Sequence, residues 1–129
     1  MMSIQELAQQ ERIPKKFLEQ VLLALKKAGI LQSSRGKTGG YSLSMAPPDV
    51  SLGDVIRAVD GPIMALPCLN PVAPTRCLDC VSLESCWLRG VMAEVDSGVS
   101  AVLENVSVAD MSRRAIQSQR RSAAAMYHI

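Results

Sequence analysis

Aromatic side chains are scarce in this chain of 129 residues: Phe17, Tyr41, Trp87 and Tyr127 are all there are. Aliphatic residues must therefore build its core, and folds that stack RNA or single-stranded bases on aromatic platforms are disfavoured. Long hydrophobic runs are missing too. The run Val21–Leu25 is five residues long, against the roughly 20 needed to cross a bilayer. Met1-Met2-Ser3-Ile4-Gln5-Glu6 has neither the charged start nor the apolar core of a secretory signal. The expectation is a cytoplasmic protein without a membrane partner. Histidine occurs once, as His128 next to the chain end, a poor place for a catalytic base. There is no Ser/His/Asp set, and no pair of carboxylates in a plausible pocket. The glycines from Gly36 to Gly40 lack the strand-to-helix setting of a nucleotide-binding loop. An enzyme is not expected.

What is present is unevenly distributed. The net charge of +2 resolves into +4 over residues 1–45, −6 over 46–111 and +4 from Ser112 onward, where four arginines stand without an acid. A basic first third is the electrostatic footprint of a surface that meets a nucleic-acid duplex. All four cysteines fall between Cys68 and Cys86. In a reducing compartment such a cluster signals metal or redox chemistry more often than structural disulfides.

Ser3 and Glu6 stand at the spacing of a capping box and open a short helix that reaches about Gln10. Glu11-Arg12-Ile13 makes a turn, and Pro14 suits the first position of a second helix running over Lys15–Ala28. In that helix Phe17, Leu18, Val21, Leu22 and Leu25 recur at helical spacing, and Gly29 ends it. Short helix, tight turn and longer helix with a cationic start form the helix-turn-helix layout. Next, Tyr41, Leu43 and Met45 alternate with polar residues as in a half-buried strand, preceded by a glycine-rich, basic segment suited to a hairpin loop. A basic hairpin directly after a helix-turn-helix is a wing. Ser51 and Asp54 open another capped helix, to about Val59. Residues 61–86 carry Pro62, Pro67, Pro71 and Pro74 and form a loop too long for a small domain unless something organises it. From Trp87 to about Asn105 a long helix follows, with Leu88, Val91, Val95, Val99, Val102 and Val106 three or four residues apart. At roughly 28 Å it exceeds the needs of its own domain, and its single apolar stripe predicts pairing with a second copy. Gly98 marks a place for close helix approach.

The predicted fold is thus mainly α with a small β-hairpin, a winged helix-turn-helix plus a long dimerisation helix. Residues 1–60 form the DNA-binding domain, 61–86 the cysteine loop and 87–111 the dimerisation helix with a short helix after it. Residues 112–129, rich in Ser, Ala, Gln and Arg, are expected to be a disordered basic tail.

The candidate DNA-reading residues are Lys15, Lys16, Glu19 and Gln20 at the start of the second helix, the end that enters the major groove in helix-turn-helix proteins. Arg35 and Lys37 on the wing are candidates for the minor groove or its flanking phosphates. The candidate metal ligands are Cys68, Cys77, Cys80 and Cys86, spaced x8, x2 and x5. Thiolates suit soft and borderline metals, and this set fits a tetrahedral zinc and a 2Fe–2S or 4Fe–4S cluster equally well. Arg76 and Arg89 flank the cluster and offset its negative charge. Trp87 is expected in the core, shielding the thiols.

The segments Ile13–Gln20, Ala28–Leu31, Ser34–Tyr41, Leu52–Gly61 and Val106–Met111, together with the cysteine loop, resemble the IscR/NsrR-type (Rrf-two) family of winged-helix transcriptional regulators from Ser3 to about Met111. The resemblance implies a homodimer on a palindromic operator, with Lys15, Lys16, Glu19, Gln20 and Arg35 at the DNA. It also implies that an iron–sulfur cluster tunes operator affinity, with Cys68, Cys80 and Cys86 matching the family's three cysteine ligands. Arg89 stands where some members carry a histidine ligand; Cys77 is additional and available as the fourth, the alternative being water or a group from the partner subunit. Members carry a further helix before the position of Met1, which implies an internal start site or a shortened member. The leading expectation is a transcriptional regulator, read as a repressor, controlled by the cluster. The alternatives are the same regulator with structural zinc or a thiol–disulfide switch, and a shortened partner of full-length members that does not itself bind DNA.

Overall fold

The computed structural model describes residues 1–127. Five helices and one two-stranded antiparallel sheet follow in the order α1 (Ile4–Glu11), α2 (Lys15–Lys27), β1 (Leu31–Ser34), β2 (Gly40–Leu43), α3 (Leu52–Asp60), α4 (Trp87–Glu104) and α5 (Val108–Met126). Single turns of 3-10 helix occupy Pro47–Asp49 and Pro67–Leu69. Among the described residues no helix is long and apolar enough to cross a membrane.

Helix α2 is the hub, with α1, α3 and β1 packed on it. Leu18 and Leu22, one turn apart on a single face, are buried there, joined in the core by Ile30 and the fully enclosed Val50. Gly29 sits at φ +77° directly after the helix. Its own N–H donates to the Lys26 carbonyl, and the Ile30 N–H donates to that of Leu25, a reversal that favours a residue without Cβ. The same turn drops Ile30 into the core and launches the hairpin. Leu31 pairs with Leu43 and Ser34 with Gly40.

Two features of this region are invisible to periodicity. Met2 joins the hairpin as a one-residue third strand, exchanging both backbone hydrogen bonds with Tyr41 at 3.0 and 2.8 Å. Gly40 makes that approach possible, because a Cβ there would collide with the Met2 carbonyl. Second, the starts of α3 and α5 are bridged through Ser51 and Ser107, with Leu52 N–H to Val106 O at 2.7 Å and Val108 N–H to Val50 O at 2.8 Å. Each start is a capping box, Ser51 with Asp54 and Ser107 with Asp110. Each box is extended by an arginine three residues on, Arg57 to Asp54 and Arg113 to Asp110. Backbone and side-chain hydrogen bonds from Ser51 and Ser107 hold both aspartate carboxyls below their ordinary values. The Ser3 hydroxyl and N–H do the same for Glu6 at the start of α1.

Four expectations are corrected. Residues from Ser112 onward are not a disordered tail: α5 is helical through Met126. Its capping box nucleates it, and the Ala, Arg and Gln that follow are strong helix formers although they make no apolar stripe. Its packing partner is the Pro47–Asp49 turn. Phe17, placed on the buried stripe of α2, is 59% exposed, and Trp87, expected to cover the thiols, is 79% exposed. Phe17 borders a shallow pocket with Val59 and Asp60 of α3 that leaves most of its ring uncovered, and Trp87 stands at the first position of α4 and faces solvent. The second strand ends at Leu43, so Met45 stands outside it, exposed. His128 lies outside the described residues.

Candidate functional site

The candidate DNA-reading side chains sit on two projections. Pro14 caps α2 through its backbone, and Lys15, Lys16, Glu19 and Gln20 occupy the first two turns, all exposed. No acid precedes them in that first turn, so the two ammonium groups add to the positive end of the helix dipole and strengthen its attraction for phosphate. Arg35 and Lys37 lie in the loop between β1 and β2, also exposed. Helix α2 is about 20 Å long, and its side-chain tie to the hairpin, Lys26 Nζ to Ser33 Oγ at 2.6 Å, is at the far end from Lys15. Helix start and hairpin tip are therefore two separate basic projections, joined through the far end of α2. Arg12, in the turn between α1 and α2, adopts φ +55°, an uncommon conformation for a non-glycine residue, and its N–H closes α1 on Ala8 O.

Among the described residues, the cysteines lie on the one long stretch without helix or strand apart from single turns. Cys77, Cys80 and Cys86 line one cavity of about 270 Å³, shared with Asp79, Val81, Ser82 and Ser85. Cys68 does not line it, being held in the Pro67–Leu69 turn. That turn packs against α4, and the preceding segment is pinned by the Ala65 N–H, which donates to Asp96 Oδ1 at 2.7 Å. All four are free thiols, with Cys77 exposed. Burial pushes the Cys80 thiol up. The neighbouring Cys77 adds to this, and the Arg76 guanidinium opposes it. Arg76, expected to offset charge at the cluster, thus acts on a thiol. Arg89 instead carries a buried Nε without a hydrogen-bond partner among the described residues.

In donor chemistry the set fits a thiolate-bound inorganic group. In spacing it falls short: among the described residues no three His, Cys, Asp or Glu are close enough together to grip one ion. A second signal at this site escaped the spacing argument. Cys86 is the N-cap of α4, so the last thiol of the loop is also the first fixed point of the long helix.

That helix has two faces. Met92, Ala93, Asp96, Ser100 and Leu103 are partly covered, on the side that meets α3 and the Pro67–Leu69 turn. Leu88, Val91, Val95, Val99 and Val102 form the other stripe and remain between 42% and 64% exposed. Gly98, expected at a close helix approach, has no atom of another described element within 4 Å of where its Cβ would stand. A larger cavity of about 800 Å³ opens between the starts of α3 and α5. Most of its charges pair with one another, Arg57 with Asp54 at 3.1 Å and with Glu104 at 3.3 Å, and Arg113 with Asp110, leaving Asp49 outside these pairs.

Comparison with known proteins places this architecture. The family profile Rrf2, described as iron-dependent transcriptional regulators, matches residues 1–114. The chain is 44% identical over 110 residues to a Rhodobacter capsulatus protein described as an rrf2-like HTH-type transcriptional regulator, an alignment covering 85% of this chain and 73% of the relative. Among solved structures it resembles CymR, the global cysteine regulator of B. subtilis. The TM-score is 0.67 at 27% identity, covering 88% of this chain and 78% of that one. It also resembles T. potens IscR, with TM-score 0.66 at 28% identity, covering 92% and 73%.

Proposed function

The chain belongs to the Rrf2 family of transcriptional regulators, and from that premise we propose how it works: as a homodimer it grips a palindromic operator, and a cysteine-held iron–sulfur cluster sets the strength of that grip. It acts as a repressor in the cytoplasm. The observation that carries this reading is the position of the thiols. Cys77, Cys80 and Cys86 converge on one cavity, and Cys86 caps the helix whose opposite face is a bare apolar stripe. Whatever draws the loop together therefore pulls on the end of α4. A stripe of five exposed aliphatic residues is the surface a second copy covers. Two copies joined there present two α2 starts and two hairpin tips, the symmetric pair that a palindrome requires.

Each residue has a defined part. Lys15 and Lys16 neutralise phosphates and anchor the helix start, while Glu19 and Gln20 face base edges in the major groove. Arg35 and Lys37 reach the adjacent minor groove or its phosphates. Cys68, Cys80 and Cys86, with Cys77 as fourth, hold the cluster. When bound, the group supplies a centre whose oxidation state or integrity changes with iron supply or oxidants. Cys68 stands in a turn separate from the other three, and among the described residues no three of the four are close enough to grip one ion, so ligation would require the loop to draw together, with Cys86 carrying that change to the start of α4.

Two measurements test the reading. Anaerobic purification with iron, acid-labile sulfide and zinc quantified distinguishes a cluster from one zinc per chain, and a colourless zinc protein removes the cluster. Binding to a palindromic duplex is then followed against salt. Lys15→Ala, Lys16→Ala and Arg35→Ala should each lower the slope of log affinity on log salt by about 0.9 for every phosphate left without its cation. A dimer with no salt-dependent duplex binding would favour the alternative of a partner subunit that does not itself touch DNA.

A further inference from the structure

Cys77 and Cys80 are set apart from the other two cysteines by their backbone. The Cys80 N–H donates to the Cys77 carbonyl at 3.1 Å, closing a β-turn with Leu78 and Asp79 at its tip. A turn of this kind brings its first and last Cα atoms within 7 Å, and disulfides span Cα separations of about 4.4–6.8 Å. The turn projects into solvent, with Leu78 wholly exposed and Cys77 exposed beside it. Cys86 lines the same cavity but is held as the N-cap of α4, its carbonyl accepting from the Gly90 N–H, and among the described residues no backbone hydrogen bond ties it to Cys77 or Cys80. Cys68 is held in a separate turn by the Asn70 and Thr75 N–H groups on the Pro67 carbonyl.

We propose that Cys77 and Cys80 form a reversible redox pair, closed to a disulfide by hydroperoxides and reopened by thiols. The Cys77 sulfur attacks the terminal peroxide oxygen and the O–O bond breaks. The departing oxygen takes the thiol proton and leaves as water or an alcohol, and Cys77 becomes a sulfenic acid. The Cys80 sulfur then attacks the Cys77 sulfur. The S–O bond breaks, hydroxide leaves with the Cys80 proton as water, and the S–S bond remains. A bridge across a four-residue, exposed turn gains little from loop closure and belongs to the readily reduced class. The pair does not depend on the cluster and competes with it, because Cys80 bonded to Cys77 has no thiolate to offer a metal.

The full chain, reduced and freed of metal with a chelator, is treated with equimolar hydrogen peroxide under anaerobic conditions. Remaining thiols are then alkylated. Cleavage before Asp79 and after Arg76 and Arg89 separates Cys77 from Cys80, and both from Cys68. The expected product is a Cys77 fragment joined to the 79–89 fragment, two hydrogens lighter than their sum, with Cys68 and Cys86 alkylated. Cys86→Ser should retain the link, Cys80→Ser should lose it, and dithiothreitol should reopen it. A link through Cys68 or Cys86, a bridge between chains, or Cys77 stopping at sulfenic or sulfinic acid in the unmutated protein would overturn the proposal. Iron and sulfide content is read separately, so a protein that forms the link but carries no iron refutes the cluster alone.

Discussion

The first sixty residues and the cysteine loop after them are built in opposite ways. In the winged region the starts of α1 and α3 are closed by their own side chains, buried Leu18, Leu22, Ile30 and Val50 lock the elements together, and even the N-terminal Met2 is hydrogen-bonded into the hairpin. In the loop, all of it among the described residues, there is one turn of 3-10 helix and no buried apolar residue, and Val72, Leu78 and Val81 lie between 88% and 105% exposed. The contrast teaches where shape comes from in each. The winged region is held by burial and backbone pairing, which it carries with it. The loop has neither in quantity, which is why the proposed reading assigns its working shape to what its thiols bond to, be it a metal group or each other.

The contrast is broken most directly by truncating an apolar residue on each side. Leu22→Ala, in the core, should cost about 2–5 kcal/mol in denaturant unfolding, a large part of a small domain's stability. Leu78→Ala should stay within about 0.5 kcal/mol. Comparable losses at both would show that the loop has an apolar core after all. Gly40→Ala comes next. Its methyl group meets the Met2 carbonyl, so Met2 must leave the sheet, at about 1–3 kcal/mol, with earlier amide exchange at Met2 and Tyr41. Unchanged exchange there would mean that Met2 does not pair with the hairpin.

Ser51→Ala removes one capping box and should cost about 1 kcal/mol. The same boxes make a pH prediction. Glu6, Asp54 and Asp110 titrate below their unfolded values because Ser3, Ser51 and Ser107 hydrogen-bond to the charged forms. Their contribution is therefore full above the unfolded carboxylate range and is lost as pH falls through the lowered folded values. An acid titration of thermal stability should show that loss, reduced in Ser51→Ala. A mutant curve parallel to the parent would detach the boxes from acid stability. The smallest expected change is a gain: Arg12→Gly relieves a positive φ at the end of α1 and should stabilise by up to about 1 kcal/mol, read as a raised melting temperature. Destabilisation would mean that the arginine side chain does more there than end a helix.

Legibility followed the range of the forces involved. The helix-turn-helix, the hairpin and the long helix were readable because caps, glycine reversals and apolar periods act within a few residues. The extended α5 was not, because a solvent-facing helix shows no apolar period and its propensity was masked by a composition that resembles disorder. Phe17 and Trp87 misled for the converse reason: an aromatic residue implies burial, but only a neighbouring element can supply it, and those described leave both largely exposed.

For the cysteines, spacing alone placed four thiols on one loop and proposed a common site. Only the folded chain divided them, setting Cys77, Cys80 and Cys86 around one cavity, leaving Cys68 in a turn against α4, and making Cys86 the cap of that helix. Local sequence dictates which residues turn, start helices and carry charge, since those choices are settled by nearest neighbours. Which side chains meet across the loop, and which face of α4 stays bare, depends on packing between segments far apart in the chain, and this exists only once the whole has folded.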